Sequence, residues 1–230
     1  HQVGKEPMTE YSIGKKLREF RAAGANFVGE SFGSIIGYQG NGAIVHYSAP
    51  EHGSKEVHAE GSILVDSGGQ YLEGTTDITR TIPLGKVSQQ FIDDSTLVLK
   101  GMIQLAMVQF PKGTRGVQLD AYARMALWKN HKDYGHGTGH GVGSFMNVHE
   151  GPQNIRKDLN PQVLLKGMVC SDEPGFYLEN QYGIRHENLV AVREVTTNEF
   201  GTFYDFETLT LCPFMPSGIN VSLLTDVERQ

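Results

Sequence analysis

The sequence predicts an α+β fold with a largely antiparallel sheet, on three observations. After one short helix, strand-like apolar runs fill the first part of the chain. Two helical periodicities occupy its middle, and strand-like runs return in the last third. Strands, then helices, then strands is the order of an α+β domain. The stretch ILVDSGGQYLEGTTDITRTIP, Ile63 to Pro83, adds a hairpin signal at the centre of the first group.

Taken in order, Thr9 reads as the N-cap of a helix carrying Ile13, Leu17 and Phe20 at helical spacing, expected to end near Gly24. Phe27 to Ser48 alternates short apolar runs with Gly-rich turns, as two strands or a strand and a loop. Ile63–Val65 and Ile78–Ile82 read as paired strands, with Gly68, Gly69 and Gly74 between them. Leu99, Met102, Ile103, Ala106 and Phe110 mark one face of a helix stopped by Pro111. Leu119, Tyr122, Ala123, Ala126 and Leu127 mark a second. GHGTGHGVG, Gly135 to Gly143, is too rich in glycine for a helix. Val163–Leu165, Met168–Cys170, Gly183–Val192 and Thr208–Leu211 read as strands. There is no internal repeat, low-complexity tract or linker, so residues 1–230 read as one domain.

Composition excludes several classes. Apolar residues make up 39% and charged residues 20%, ordinary values for a globular protein. A net charge of −6 without a basic run argues against nucleic acid as a partner. No apolar run approaches the roughly 18 residues of a membrane helix, so no membrane partner is expected. The lead HQVGKEPMTE does not read as a signal peptide. Cys170 and Cys212, both in apolar runs, are expected as buried free thiols in a reducing cytosol, with a disulfide as the alternative.

Polar residues in apolar surroundings carry the chemistry. Asp66 and Asp77 sit one in each arm of the hairpin. A loop of even length would put both on one face, directly or diagonally opposed, within roughly 5–8 Å. Like charges so placed need neutralising, as a divalent cation would do. The plainer reading makes them turn residues beside glycines. Glu187 falls on the face of Leu189 and Ala191, where a charge needs a partner. Glu173 precedes Pro174-Gly175, and His136 and His140 lie in the Gly-rich segment. Singly, each is more simply structural. Together, four carboxylates would balance two divalent cations. Oxygen ligands with one imidazole and no thiolate favour manganese, cobalt or zinc over copper. Such a pair lowers the pKa of a shared water and polarises a carbonyl.

The order Asp66, Asp77, His140, Glu173, Glu187 resembles the dinuclear-metal aminopeptidases of peptidase family M24, with the pita-bread (creatinase/aminopeptidase) fold. GNGAIVHY, VDSGGQYLEGTTDITRT, YGHGTGHGVG, NVHEGP, DEPGFY and GIRHEN are similar to Xaa-Pro aminopeptidase, also called aminopeptidase P, from about Met8 onward. The resemblance implies a curved, largely antiparallel sheet covered by helices. It implies two divalent metal ions, manganese first with zinc or cobalt as alternatives. Asp66 would bind one metal, His140 and Glu173 the other, and Asp77 and Glu187 would bridge. His46, His136 and His149 would hold substrate and stabilise the tetrahedral intermediate. Glu173 would also shuttle a proton, and Arg185 would lie just behind the ligands. The implied reaction is hydrolysis of the bond between a peptide's first residue and a proline in second position, in the cytoplasm. A prolidase or methionine aminopeptidase shares the five ligands, but NVHEGP and GHGTGHGVG favour aminopeptidase P. A binding module of this fold without catalysis is a further alternative, disfavoured because all five ligands are present. The family supplies a further helix and preceding domains, so the chain is expected to be a truncated catalytic domain. Its uncovered apolar face would favour a homodimer. His186 stands where the family more often has an aliphatic residue.

Overall fold

The computed structural model describes residues 3–230; the first two residues of the polar lead, His1 and Gln2, lie outside them. The first helix, α1 (Glu10–Ala22), starts as expected. The Thr9 hydroxyl accepts the Ser12 amide at 3.1 Å, and the Ser12 hydroxyl accepts the Thr9 amide at 2.9 Å. Two short strands follow, β1 (Phe27–Glu30) and β2 (Ile35–Tyr38), then a 3-10 turn at Gln39–Ala43. The central stretch forms β3 (Ser62–Ser67), β4 (Gly69–Tyr71), β5 (Gly74–Thr75) and β6 (Ile78–Pro83). β3 lies between β2 and β6, while β4 and β5 turn away to pair with each other and with β1.

The middle of the chain supplies α2 (Gln89–Ala106), β7 (Phe110–Pro111) and α3 (Gly116–Trp128). The Gly-rich segment contributes only β8 (Gly139–His140), paired with β9 (Asn154–Ile155). Then come β10 (Val169–Asp172), β11 (Gly175–Leu178), β12 (Tyr182–Arg185), β13 (Asn188–Asn198) and β14 (Gly201–Thr208). β13 lies between β10 and β14, with β7 on the outer edge. Every pair of named strands is antiparallel, and with the covering helices this makes the α+β class and curled sheet that the sequence predicts.

The core has three parts. Leu105, Leu119 and Ala123 of the two helices pack on Cys170, Val190 and Phe206 of the larger sheet. Phe91, Val98 and Leu127 close over Phe176 and Ile184. Ile36, Tyr38, Val57 and Ile63 form a third cluster, with Ile13 and Leu17 of α1 against it. The two long helices meet backbone to backbone. A Cβ at Gly101 would lie 2.0 Å from the Ala123 carbonyl oxygen.

Several expectations are corrected. α2 ends at Ala106, and Phe110 instead enters β7 to pack on Tyr204 and Phe206, at centroid distances of 6.2 and 5.2 Å. Tyr122 is 42% exposed, because the inward face of α3 also carries Asp120 and Arg124, paired at 2.7 Å. Val163–Leu165 makes only a bridge, from Val163 to Arg115. Gly183–Val192 breaks at His186 and Glu187, so Glu187 does not share a strand face with Leu189 and Ala191. Of Thr208–Leu211, only Thr208 lies in a strand. Cys170 is buried, whereas Cys212 is exposed, and both are free. Among the described residues, no helix is long and apolar enough to cross a membrane.

Two predictions follow from this packing. Gly101→Ala should gain about 1 kcal/mol of helix propensity, yet lose about 2–3 kcal/mol to overpacking against the Ala123 carbonyl. Thermal melts should therefore show a destabilised variant; a stabilised one would mean that the helices separate without cost. The second concerns Glu228, which accepts from Lys100 at 2.5 Å, the Thr225 amide at 2.8 Å and Gln104 at 3.0 Å. Burial opposes its ionised form, but these bonds outweigh it and hold the carboxyl down at about 2. A depressed native pKa gives stability that is full above about pH 5 and lost as pH falls toward 2. The gap in urea stability between the protein and Glu228→Gln should shrink across that window. A gap independent of pH would remove Glu228 from the account.

Candidate metal centre

The central strands bring the acids together by unequal means. Asp66 lies in β3 opposite Thr79 of β6, and Asp77 sits just before β6 rather than within it. The two carboxylates are thus diagonal neighbours, not directly opposed. Glu173 follows β10, and Glu187 occupies the break between β12 and β13. That break is held by hydrogen bonds. The Glu187 amide donates to the Thr79 carbonyl at 3.1 Å, and Arg80 Nη1 donates to the Glu187 carbonyl at 2.5 Å. A strand straight through position 187 would lose both.

His140 is aimed by its own backbone surroundings. Gly139 allows β8 to approach β10 so closely that a Cβ there would lie 1.9 Å from the Ser171 carbonyl oxygen. The His140 amide then donates to Ser171 Oγ at 2.9 Å. His140 Nδ1 donates to the Gly141 carbonyl at 2.9 Å, which leaves Nε2 facing Asp77 Oδ2 at 3.4 Å and Glu173 Oε1 at 3.3 Å. A histidine tethered through one nitrogen, with the other turned on carboxylates, has the form of a metal ligand.

All nine residues singled out in the sequence line one cavity of about 650 Å³: His46, Asp66, Asp77, His136, His140, His149, Glu173, Arg185 and Glu187. Asp77, His140 and Glu187 each offer a ligand atom within 4.8 Å of the others. Asp66 and Glu173 stand outside this closest set. Asp66 Oδ2 accepts from Arg185 Nη2 at 2.7 Å, and Glu173 Oε1 accepts from Ser171 Oγ at 2.9 Å. His46 and His149 are exposed at the cavity wall, and the His149 ring lies 4.1 Å from that of His140.

The electrostatics show a surplus of negative charge. Burial, reinforced by Asp77, Glu173 and Asp66, raises the Glu187 carboxyl well above its ordinary value. Burial raises Asp66 as well, with Asp77 adding to it and Arg185 opposing. Glu173 is pushed up to about 7 by burial and by Asp77 and Asp66, against the pull of His140 and Arg185. Burial alone would lower His140, but the Asp77 hydrogen bond and the Glu173 charge lift it to about 9. Asp66 Oδ1 and Asp77 Oδ1 are buried and accept no hydrogen bond from the described residues. Orphaned buried carboxylate oxygens beside a tethered imidazole fit divalent cations better than any side-chain partner present.

Three contributors were not singled out in the sequence. Thr79 donates to Glu187 Oε2 at 2.7 Å and accepts from Arg185 Nε at 3.3 Å. Ser171 bridges His140 and Glu173. Tyr177 meets both Arg185 and His136, at 2.9 and 2.7 Å. Thr79 and Tyr177 lie within the DITRT and DEPGFY segments, so the available signal was their proximity to the acids.

Comparison with known proteins gives this geometry a lineage. Residues 2–194 match metallopeptidase family M24. The chain is 47% identical over 223 residues to Xaa-Pro aminopeptidase 1 of Dictyostelium discoideum, covering 96% of this chain and 35% of that protein. It is 45% identical over 225 residues to aminopeptidase P2 of Arabidopsis thaliana, covering 96% and 32%. It therefore spans about a third of the length of these relatives. The structure is similar to X-prolyl aminopeptidase of Caenorhabditis elegans, described as a cytosolic enzyme with a di-nuclear active site. That match has a TM-score of 0.92 and 39% identity, covering 97% of this chain and 37% of the other. Prolidase from Pyrococcus furiosus matches with a TM-score of 0.77 and 25% identity, over 90% and 57%. Sequence, fold and the gathered acids agree, and the chain belongs to metallopeptidase family M24.

Proposed function

We propose that this chain is the catalytic part of an Xaa-Pro aminopeptidase, which hydrolyses the bond between a peptide's first residue and a proline in second position. The observation that carries the reading is the convergence of Asp77, His140 and Glu187 within 4.8 Å, beside the orphaned oxygens of Asp66 and Asp77. The preference for proline rests on the relatives named above. Residues 1–230 act as one catalytic unit in this reading, and its place is the cytoplasm, as described for the C. elegans enzyme.

Asp66, Asp77, His140, Glu173 and Glu187 would hold two divalent cations, with manganese the first choice. When bound, such ions supply a water of lowered pKa and polarise the carbonyl to be attacked. The chain's own residues do the rest. Glu173 Oε1 is anchored by Ser171, and Oε2 accepts no hydrogen bond from the described residues. Oε2 is therefore the atom at which a proton is held and passed on. His46 and His149 make no hydrogen bond within the described residues, so their ring nitrogens are available to a substrate carbonyl or developing oxyanion. His136 is different: both its ring nitrogens are engaged by the protein. The donor role expected of three imidazoles thus falls to two. Arg185 holds Asp66 and keeps one guanidinium among the acids.

Cleavage of Arg-Pro-Pro, followed by mass spectrometry, tests the reading. Release of arginine supports it, whereas cleavage of Xaa-Pro dipeptides alone would make the chain a prolidase. Asp77→Ala and Glu187→Ala should each bind fewer than two metal ions per chain by elemental analysis. Retention of two would remove the bridging assignment. His140→Ala should keep its melting behaviour and lose turnover by more than the roughly hundredfold typical of losing a ligand's own partner. Near-normal turnover would make His140 a structural residue.

A further inference from the structure

The turn that joins His140 to His149 presents two apolar side chains to solvent at the edge of the acidic cavity. Phe145 and Met146 are 45 and 57% exposed. Phe145 has a φ of 53°, in the left-handed region that bulky residues avoid. Hydrogen bonds on either side hold it there. The Gly143 amide donates to the Asn147 carbonyl at 3.0 Å, and Asn147 Nδ2 donates to Glu150 Oε2 at 3.0 Å. The Met146 carbonyl accepts from Gln70 Nε2 at 3.2 Å. A strained turn that buries neither of its apolar side chains does not serve the core.

Those two side chains wall a second cavity of about 390 Å³, together with Glu30, Ser31, Gln70 and Asn147. None of the nine residues gathered around the acids lines it. The same two segments of chain nevertheless serve both cavities. Glu30 and Ser31 lead directly to Phe32 and Gly33 of the first, and Asn147 stands two residues before His149. Two extended residues span at most about 7 Å, the reach of a lysine or arginine side chain.

Among the residues lining the second cavity, only Glu30 carries a charge. Its Oε1 accepts from Ser34 Oγ at 3.1 Å, and its Oε2 faces Arg18 Nε at 3.4 Å. That ion pair is loose. The Arg18 side chain is 56% exposed, and the separation exceeds the 2.8 and 3.0 Å at which Arg193 grips Asp205. A carboxylate has about four acceptor sites, so Glu30 has room for a further donor. Methionine adapts to what it meets. Lysine and arginine lay their stems on apolar surface while the charged head finds polar company.

We propose that this second cavity is a subsite for a lysine or arginine at the first position of the peptide, with the stem against Phe145 and Met146 and the cationic head at Glu30. The orientation of the peptide rests on the peptidase reading above. The first residue is the occupant because its carbonyl is the group attacked and its amine, a cation, is drawn to the same acids. Its side chain alone leaves the cavity in a set direction.

The test uses the whole chain loaded with zinc, which is diamagnetic, and compares Lys-Pro-Pro with norleucine-Pro-Pro, which lacks only the ammonium group. The lysine peptide should bind about tenfold more tightly, as one partly exposed charged hydrogen bond commands, and kcat/KM should show the same ratio. Glu30→Gln, which keeps the shape and removes the charge, should bring the ratio near one. Met146→Lys, a change at an exposed position, should bring it below one. Both peptides should shift the Met146 methyl signal of the unsubstituted chain. A ratio near one in that chain would overturn the subsite, as would a ratio that survives either substitution. So would absence of binding, an unmoved Met146 methyl, or a lysine preference seen only when lysine follows the proline. If the chain binds both peptides and cleaves neither, the peptidase reading falls, and the binding ratio decides the subsite by itself.

Discussion

The mutual repulsion of four clustered carboxylates, three of them buried, is the constraint on which this structure turns. Asp66, Asp77 and Glu187 are 7, 5 and 1% exposed, and they share one cavity with Glu173. Within the protein, Arg185 and the imidazole of His140 are what face them. Burying like charges costs several kcal/mol per ion even after relaxation. A fold that held them for packing alone would have replaced them with apolar side chains. Their retention, with two oxygens left without a hydrogen bond, makes sense for a site completed by divalent cations.

The irregular backbone serves that cluster. Regular strands on either side would carry alternating residues to opposite faces, and no single ladder delivers all these side chains to one cavity. The chain instead breaks its strands where the clustered acids lie. Asp77 precedes β6, Glu173 follows β10, and Glu187 occupies the gap after β12. Each departure is supported by close backbone approach or by a buried hydrogen bond. Gly139 lets the His140 segment lie on β10, and Gly183 comes so near Gly42 that a Cβ would sit 1.7 Å from its carbonyl oxygen. Thr79 and Arg80 together replace the ladder bonds that a continuous strand would have made at Glu187.

This explains what was legible in the sequence and what was not. The first helix was legible because Thr9 and Ser12 act locally, through a reciprocal cap that needs no tertiary partner. The hairpin of β3 and β6 was legible from its apolar runs and glycines. The acids were legible as polar residues in apolar company, and one cavity gathers all of them. The break at Glu187 was not, because alternation in GIRHENLVAV runs unperturbed through it. The interrupting bonds come from Thr79 and Arg80, more than a hundred positions earlier in the chain. Tyr122 misled for the converse reason. Asp120 and Arg124 neutralise each other in the interior, so a charged pair took the inward face that apolar periodicity assigned to tyrosine. Phe110 belongs to the sheet because its aromatic partners Tyr204 and Phe206 lie nearly a hundred residues downstream.

His186 shows how far the support of the site extends. It stands between Arg185 and Glu187, fully inside the protein, with Nε2 at 3.0 Å from Ser95 Oγ of α2. Its ring meets Phe214 edge to face at 5.4 Å, and the Arg80 guanidinium lies over the same phenylalanine at 4.0 Å. Arg80 also donates to the Cys212 carbonyl at 2.7 Å. The strand break that presents Glu187 is therefore braced on one side by α2 and on the other by the segment around Phe214. An aliphatic residue at position 186 would keep the packing against Phe214 and give up the tie to Ser95. The polar residue thus adds a tie from α2 to a break that Thr79 and Arg80 already hold in place.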